Sequence, residues 1–285
     1  MRHPGLIALL LGSAFFVSAC EGSKQDSVSR AIDSVIDVDN QNMADLMLSA
    51  GNPEEAVSYF QAQVERDPSH LGNQRGLSRS LVRAGRVSDA VPVWKTVADH
   101  PDATHDDRVM LADALVRANR WDEAERTLNA IPPTHESFDR YRLEAIIADS
   151  KQQWQKADHF YETAAGLTTR PAGVLNNWGY SKLTRGAPRD AEALFAQALQ
   201  HDPDMFTAKN NMALARAAQG NYSLPMVRMT QQERAMMLHT MAIAAIRKGD
   251  TNVGRTMLSE AIETHPQHFD EAVRALRALE GGGRG

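Results

Sequence analysis

Small and bulky apolar residues return along the chain at one interval. Ala56, Ala90, Ala124, Ala157 and Ala191 stand 34, 34, 33 and 34 residues apart, and four residues after each comes a bulky apolar side chain: Phe60, Trp94, Leu128, Tyr161 and Phe195. Twelve residues before each alanine is a small residue, namely Ala44, Ser78, Ala112, Ala145 and Gly179. Five before it come Gly51, Gly85, Asn119 and Gly186, a turn signal that only Gln152 breaks. The pattern predicts two helices per unit. A small residue on each lets the pair approach closely, and the bulky residue one turn later fills the space beside the contact. Gly or Asn then ends the first helix in the left-handed conformation.

The second helices open with their own signals. Asn52-Pro53-Glu54-Glu55 offers a cap, a proline at the first helical position and carboxylates at the positive end. Asp122-Glu123-Ala124-Glu125 repeats the device, and Pro68 and Pro203 close their units where a helix cannot continue. The sixth unit breaks the rule. Asn210-Asn211-Met212-Ala213 and Gly220 match a first helix, yet Pro225 falls where the signature alanine belongs, so the second helix is expected to be interrupted or missing. Thr230-Gln231-Gln232-Glu233 is a capping box that starts a new helix running to about Lys248. Ala242, Gly249, Leu258, Ala261 and Pro266 recover the pattern, with Gly254 in the alanine's place, and 268–279 is expected to close the stack.

This periodicity resembles the tetratricopeptide repeat, a family of paired antiparallel helices stacked into a right-handed superhelix. The resemblance runs from Asp37 to Glu280. It implies an all-α fold, an α–α superhelix of about six to seven repeats with one degenerate. The apolar members Trp94, Tyr161, Trp178 and Phe195 sit at the spacing of the packing pattern and read as core. The Met-rich stretch from Met226 to Met241 reads either as core filling or as an adaptable docking patch beside the broken unit.

The N-terminus has another character. Arg2 and His3 precede an almost wholly apolar run from Leu6 to Val17, which ends in Val17-Ser18-Ala19-Cys20. That is the layout of a signal peptide, about half the length a membrane-spanning helix needs. Small residues directly before the chain's one cysteine resemble the bacterial lipoprotein lipobox, which implies acylation of Cys20 and cleavage before it. The expected organisation is a leader at 1–19, a lipidated cysteine and flexible tether at 20–36, the repeats at 37–280 and a disordered tail at 281–285. Glu21, rather than Asp, follows the cysteine, and in lipoprotein families this implies passage to the outer membrane, on its periplasmic face. An ordinary secretory signal with an incidental cysteine is the alternative.

The remaining composition mostly excludes. A formal charge of −5 leaves no basic excess for an extended nucleic-acid surface, and one cysteine removes intramolecular disulfides and thiolate clusters. His135-Glu136-Ser137-Phe138-Asp139 starts like a zinc-protease helix, but Asp139 stands where the second histidine is needed. Pro266 lies between His265 and His268, which read as a solvated cap. Neither a phosphate-binding loop nor a nucleophile elbow appears. The sequence therefore points to no catalytic site, metal, cofactor or small-molecule substrate, although a triad assembled by folding leaves no signature in residue order.

In tetratricopeptide proteins the first helix of each unit lines the concave face where partners lie. Asn42, Asn177 and Asn211 stand two residues before Ala44, Gly179 and Ala213, and the resemblance implies that amides at this place contact the main chain of a bound extended peptide. Arg75, Arg79, Arg142, Asn176, Tyr180 and Asn210 are neighbouring inward positions that offer forked donors and a ring. The alternative is that the asparagines bond the preceding loop and the arginines are merely solvated.

The lipobox followed by repeats, Pro225 to Glu233 leading into a methionine-rich helix, and the closing His265-Pro266-Gln267-His268-Phe269 together resemble the TadD group of lipoproteins from the tight-adherence (Flp) pilus machinery. That resemblance implies a lipid-anchored, non-enzymatic scaffold whose groove receives a segment of the secretin pore or another pilus component. A general envelope scaffold for outer-membrane protein or polysaccharide assembly is the nearest alternative, and a hydrolase accessory a more distant one.

Overall fold

The computed structural model describes residues 43–281, and among these every regular element is a helix. Asn42, Cys20, the expected leader and tether, and residues 282–285 lie outside the described residues. The chain divides after Val97 into two compact units. The first contains α1 (43–49), α2 (Pro53–Arg66), α3 (Leu71–Arg83) and all but the end of α4 (Val87–Asp99). The second contains α5 (His105–Arg117), α6 (Trp121–Asn129), α7 (Phe138–Ser150), α8 (Trp154–Gly166), α9 (Ala172–Thr184), α10 (Pro188–His201), α11 (Phe206–Ala218), α12 (Gln231–Lys248), α13 (Thr251–Thr264) and α14 (Asp270–Gly281). Within it α5 packs on α6, α7 on α8, α9 on α10 and α12 on α13, and each hairpin also packs on the next.

The packing follows the spacing. All five signature alanines and their bulky partners are buried. At Gly179 an added β-carbon would stand 2.6 Å from the Phe195 ring, so only glycine lets α9 lie this close to α10. A second such contact was not singled out by the periodicity: Gly76 of α3 faces Phe60 of α2, where a β-carbon would come within 2.2 Å. Trp178 is only partly buried, wedged between two cores with its ring stacked on Tyr161 at 6.3 Å between centroids.

The turns correct three expectations. Gln152 does not break the turn: it takes φ 57° like Asn119 at 58°, and the Gln153 N–H closes on the Ala148 carbonyl at 2.9 Å, as Arg86, Arg120 and Ala187 close their own helices. Tertiary packing thus imposes the left-handed residue where the sequence offers no glycine. Gly51, conversely, is absent from the left-handed region. Its job is done by Arg83 of α3, whose guanidinium donates to the carbonyls of Met47 at 2.9 Å, Leu48 at 2.7 Å and Gly51 at 3.0 Å. Asn52 does cap α2, accepting from the Glu54 N–H at 2.9 Å with Pro53 at the first helical position. The device is not repeated at α6, because Arg120 is the capping residue there and its side chain goes to Glu123, leaving only the acidic first turn.

The sixth unit lacks its second helix. After α11, residues 219–230 are non-helical, and Pro225 is buried. Val227 leans on the α9–α11 core and Leu224 and Met229 on the C-terminal core, so a loop plugs apolar surface that a helix covers elsewhere. The capping box forms as expected: Glu233 N–H donates to Thr230 Oγ1 at 3.1 Å and Thr230 N–H to Glu233 Oε2 at 2.8 Å. The same carboxylate takes the Lys209 ammonium at 3.0 Å, and Lys209 is 1% exposed. Burial works against the Glu233 charge, but the Thr230 and Lys209 hydrogen bonds outweigh it and hold the carboxyl below its ordinary value. The methionine stretch divides by burial. Met237 and Met241 are core, whereas Met226 is fully exposed. The closing helix begins at Asp270, two residues later than its first expected residue, His268, whose ring pairs with Asp270 at 2.9 Å.

Candidate functional site

The first helices α7, α9, α11 and α12 share one face of the second unit, and the repeat register decides what each shows there. Asn177 and Asn211 occupy equivalent places on α9 and α11. Asn211 Nδ2 donates to Asn176 Oδ1 at 3.0 Å, which fixes these two helices side by side. Asn176 and Asn211 therefore bond each other rather than the preceding loops. Asn176 is 8% exposed and is a structural member of the pair, while Asn177 is partly exposed and Tyr180, one turn on, is 52% exposed. Asn210 Oδ1 is shielded from solvent and has no partner among the described residues. Of these register-matched residues, solvent reaches Asn177 and Asn211 in part and Tyr180 more fully.

The arginines separate into two kinds. Arg142 reaches Asp113 at 2.9 Å and Asp139 at 3.3 Å, and Arg117 takes the other Asp113 oxygen at 2.5 Å, so Arg142 is held in an ion-pair chain linking α5 to α7. Arg75 and Arg79 lie on α3 in the first unit, Arg75 half-buried and Arg79 exposed.

Three features were missed from sequence. One is the buried Lys209, invisible because nothing nearby in the chain marks it. Another is Asp158, which accepts from Trp178 Nε1 at 2.5 Å, from Lys182 at 2.9 Å and from Arg185. Burial raises the Asp158 carboxyl, and these three donors together pull it below its ordinary value. The third is an apolar groove of about 550 Å³ between α11 and α12, lined by Leu214, Ala217, Ile243 and Ala244 with Arg247 and Lys248 at one end. His239 sits at the other end, its ring 5.4 Å from that of Phe269. Burial lowers the His239 pKa below its ordinary value, against the opposing charge of Glu271. The repeat register did carry a signal for this groove. The residue after each small position is charged in the early units (Asp45, Arg79, Asp113) and apolar in the later ones (Ile146, Tyr180, Leu214, Ile243).

Among the described residues no three potential ligands come together as a metal site, and no helix is long and apolar enough to cross a membrane.

The family model of the tetratricopeptide repeat matches residues 42–94 and 176–224. No curated protein matches by sequence. Among solved structures, the Cut9–Hcn1 hetero-tetramer of the APC/C superposes with a TM-score of 0.60 at 12% identity, over 83% of this chain and 48% of that one, so the chain spans about half its length. A thermophilic tetratricopeptide-repeat protein of Thermus thermophilus gives 0.54 at 17% identity, over 61% of this chain and 95% of that one. A tetratricopeptide repeat protein of Parabacteroides merdae gives 0.55 at 10% identity, over 84% and 96%. Identities this low speak to fold alone. The two matched segments carry tetratricopeptide repeats, and the described residues fold in the all-α, α–α superhelix class.

Proposed function

We propose that the protein is a non-catalytic scaffold that holds an extended segment of another polypeptide along the shared face of its first helices. The observation that carries this is the row of Asn177, Tyr180 and Asn211 beside the α11–α12 groove, two partly exposed amides and an exposed ring. Amides pair with a partner's main chain, and an exposed ring adds contact area at low entropic cost.

The finer reading rests on the N-terminal residues. Val17-Ser18-Ala19-Cys20 supports a lipid anchor on Cys20, which would tether the scaffold in an envelope membrane and raise its effective concentration toward partners there. With the resemblance to the TadD group, this supports an outer-membrane-anchored role in Flp pilus assembly, with a secretin segment or another pilus component as the partner.

Two experiments test it. Metabolic labelling with palmitate should mark the wild type and not Cys20→Ser, and absence of label on the wild type refutes the anchor. Affinity capture from solubilised membranes should lose its partner in Asn177→Ala/Tyr180→Ala, two substitutions at open positions. Unchanged capture with an unchanged circular dichroism spectrum refutes the site. Recovery of outer-membrane-protein or polysaccharide export components in place of pilus proteins would favour a general envelope scaffold.

A further inference from the structure

The connection from α13 to α14 reads His265-Pro266-Gln267-His268-Phe269, and three histidines bear on it, each with a different answer to a proton. His265 Nδ1 lies 2.8 Å from the Gln267 carbonyl oxygen and 3.2 Å from its N–H, so a protonated ring keeps an acceptor there. His268 pairs with Asp270 at 2.9 Å and gains from protonation. His239 of α12 has neither. It is half-buried, makes no hydrogen bond or ion pair among the described residues, and packs its ring 5.4 Å from that of Phe269. The His265 ring lies 4.8 Å from the same phenyl group, so one aromatic side chain joins α12 to the start of α14. Little else secures that helix: Ala272 is its one buried residue, with Ala275 and Leu276 partly buried against the C-terminal core.

The charges around His239 do not hold a proton on it. Glu271 of α14 attracts one, but burial outweighs that carboxylate and sets the ring below its ordinary value of 6.5. From α11 the groove lining offers it only Leu214, Ala217 and Ala218, and along α12 Arg247 and Lys248 stand about 12 Å away, eight and nine residues on. From α13 come Glu260, which pairs with Arg234 at 2.6 Å, and the exposed Glu263.

We propose that α14 is an acid-released latch on the end of the repeat stack, with the His239–Phe269 contact as its sensor. Docking covers an imidazole that has no acceptor for a second N–H, so the ring takes up a proton readily only when Phe269 lifts away and water reaches it. Docking is thus full above pH 6.5 and weakens as pH falls from there through the ring's lower docked value. The His268–Asp270 pair acts in the opposite sense, but both its members are exposed and its effect is small. His239 also stands at one end of the α11–α12 groove, so release of Phe269 uncovers that end. The latch does not depend on what the groove holds.

The test is hydrogen exchange on the full chain at pH 7.5 and pH 5.5, each segment corrected for the intrinsic pH dependence of exchange. One pH unit below 6.5, proton uptake by the undocked ring shifts docking by up to about tenfold, so exchange across 270–281 should rise about three- to tenfold relative to α9 and α10. His239→Gln, which takes up no proton, should remove that rise. Histidine NMR gives a second reading that leaves His239 in place: Phe269→Ala should move the His239 titration up toward 6.5. If His239→Gln lowers the protection of α9 and α10 at pH 7.5, the Phe269→Ala titration decides. A wild-type ratio that stays flat, a rise that persists in a folded His239→Gln, or a His239 titration unmoved by Phe269→Ala overturns the latch.

Discussion

Replacing Lys209 tests how the stack survives its missing helix. The ammonium of this 1% exposed residue meets Glu233, whose side chain is 19% exposed and also caps α12. Lys209→Ala strips the cation from a largely desolvated carboxylate and removes the aliphatic stem beneath it. Breaking a buried pair from one side costs about 3–5 kcal/mol, and because water can reach Glu233 the lower end, about 3 kcal/mol, is expected. For a unit of this size that lowers the melting temperature by roughly 6–12 °C. Lys209→Met/Glu233→Gln removes both charges, and the glutamine still reaches back to the Thr230 N–H. It should lie within about 1 kcal/mol of wild type, far below the sum of Lys209→Met and Glu233→Gln made singly, each of which leaves one charge without its partner. Urea unfolding followed by circular dichroism measures this, with hydrogen exchange over α11 and α12 to locate the loss, since repeat arrays do not always unfold in one step. The pH dependence supplies a sign. Glu233 is held below its ordinary value of 4.5, so its contribution is complete above that pH and is lost as pH falls through the lower folded value. The gap between wild type and Lys209→Met should therefore close in acid. Single and double variants all within about 0.5 kcal/mol of wild type would refute the reasoning.

Other outcomes follow from the geometry. Gln152→Gly relieves a left-handed residue and should stabilise by about 1 kcal/mol, read as a higher urea midpoint, whereas Gly85→Ala should cost about as much. Gly179→Leu drives a side chain into the Phe195 ring and should cost about 1–3 kcal/mol, seen as a lowered melting temperature. Arg83→Ala leaves the carbonyls of Met47 and Leu48 in α1 and of Gly51 just after it without their donor and should speed hydrogen exchange across 43–51 while α9–α13 keep their protection. Tyr222, which donates to Asp250, has its hydroxyl pushed up to about 12, chiefly by that bond, and ultraviolet titration should find it moved back toward the ordinary tyrosine value in Asp250→Asn. Because the folded value is raised, the stability this bond adds is complete below pH 10 and disappears as pH climbs through about 12.

The repeat frame was legible because each unit repeats one packing problem: an alanine where two helices touch, a bulky residue beside it, a proline or left-handed residue where the chain must turn. Residues that answer that local problem stand out at 34-residue spacing. Interactions between units are harder to see, since their partners are set by stacking. Arg83 capping α1 across 32 to 36 residues is one case. Lys209 is another: its burial depends on a carboxylate 24 residues on, across a loop of irregular length. One such class does recur. The acid directly after a signature alanine meets a polar or basic residue near the end of the next first helix, as Glu125 with Lys151, Asp158 with Arg185 and Glu192 with Gln219, at separations of 26, 27 and 27. At the candidate site the asparagines were legible by register, but which of them face inward to each other and which face water was a matter of helix rotation that spacing does not encode.

Leaving out one second helix has a mechanical consequence. In the layer of second helices the run from α6 through α8 and α10 stops, and only a twelve-residue strap, 219–230, stands before α13. The layer of first helices continues unbroken from α11 to α12. Load applied at the C-terminus is thus borne across that seam by a single row, so α12, α13 and α14 should peel away as one block before the earlier hairpins yield. A tether that passes tension from one bound polypeptide to its anchor would have its weakest joint there, next to the groove it loads.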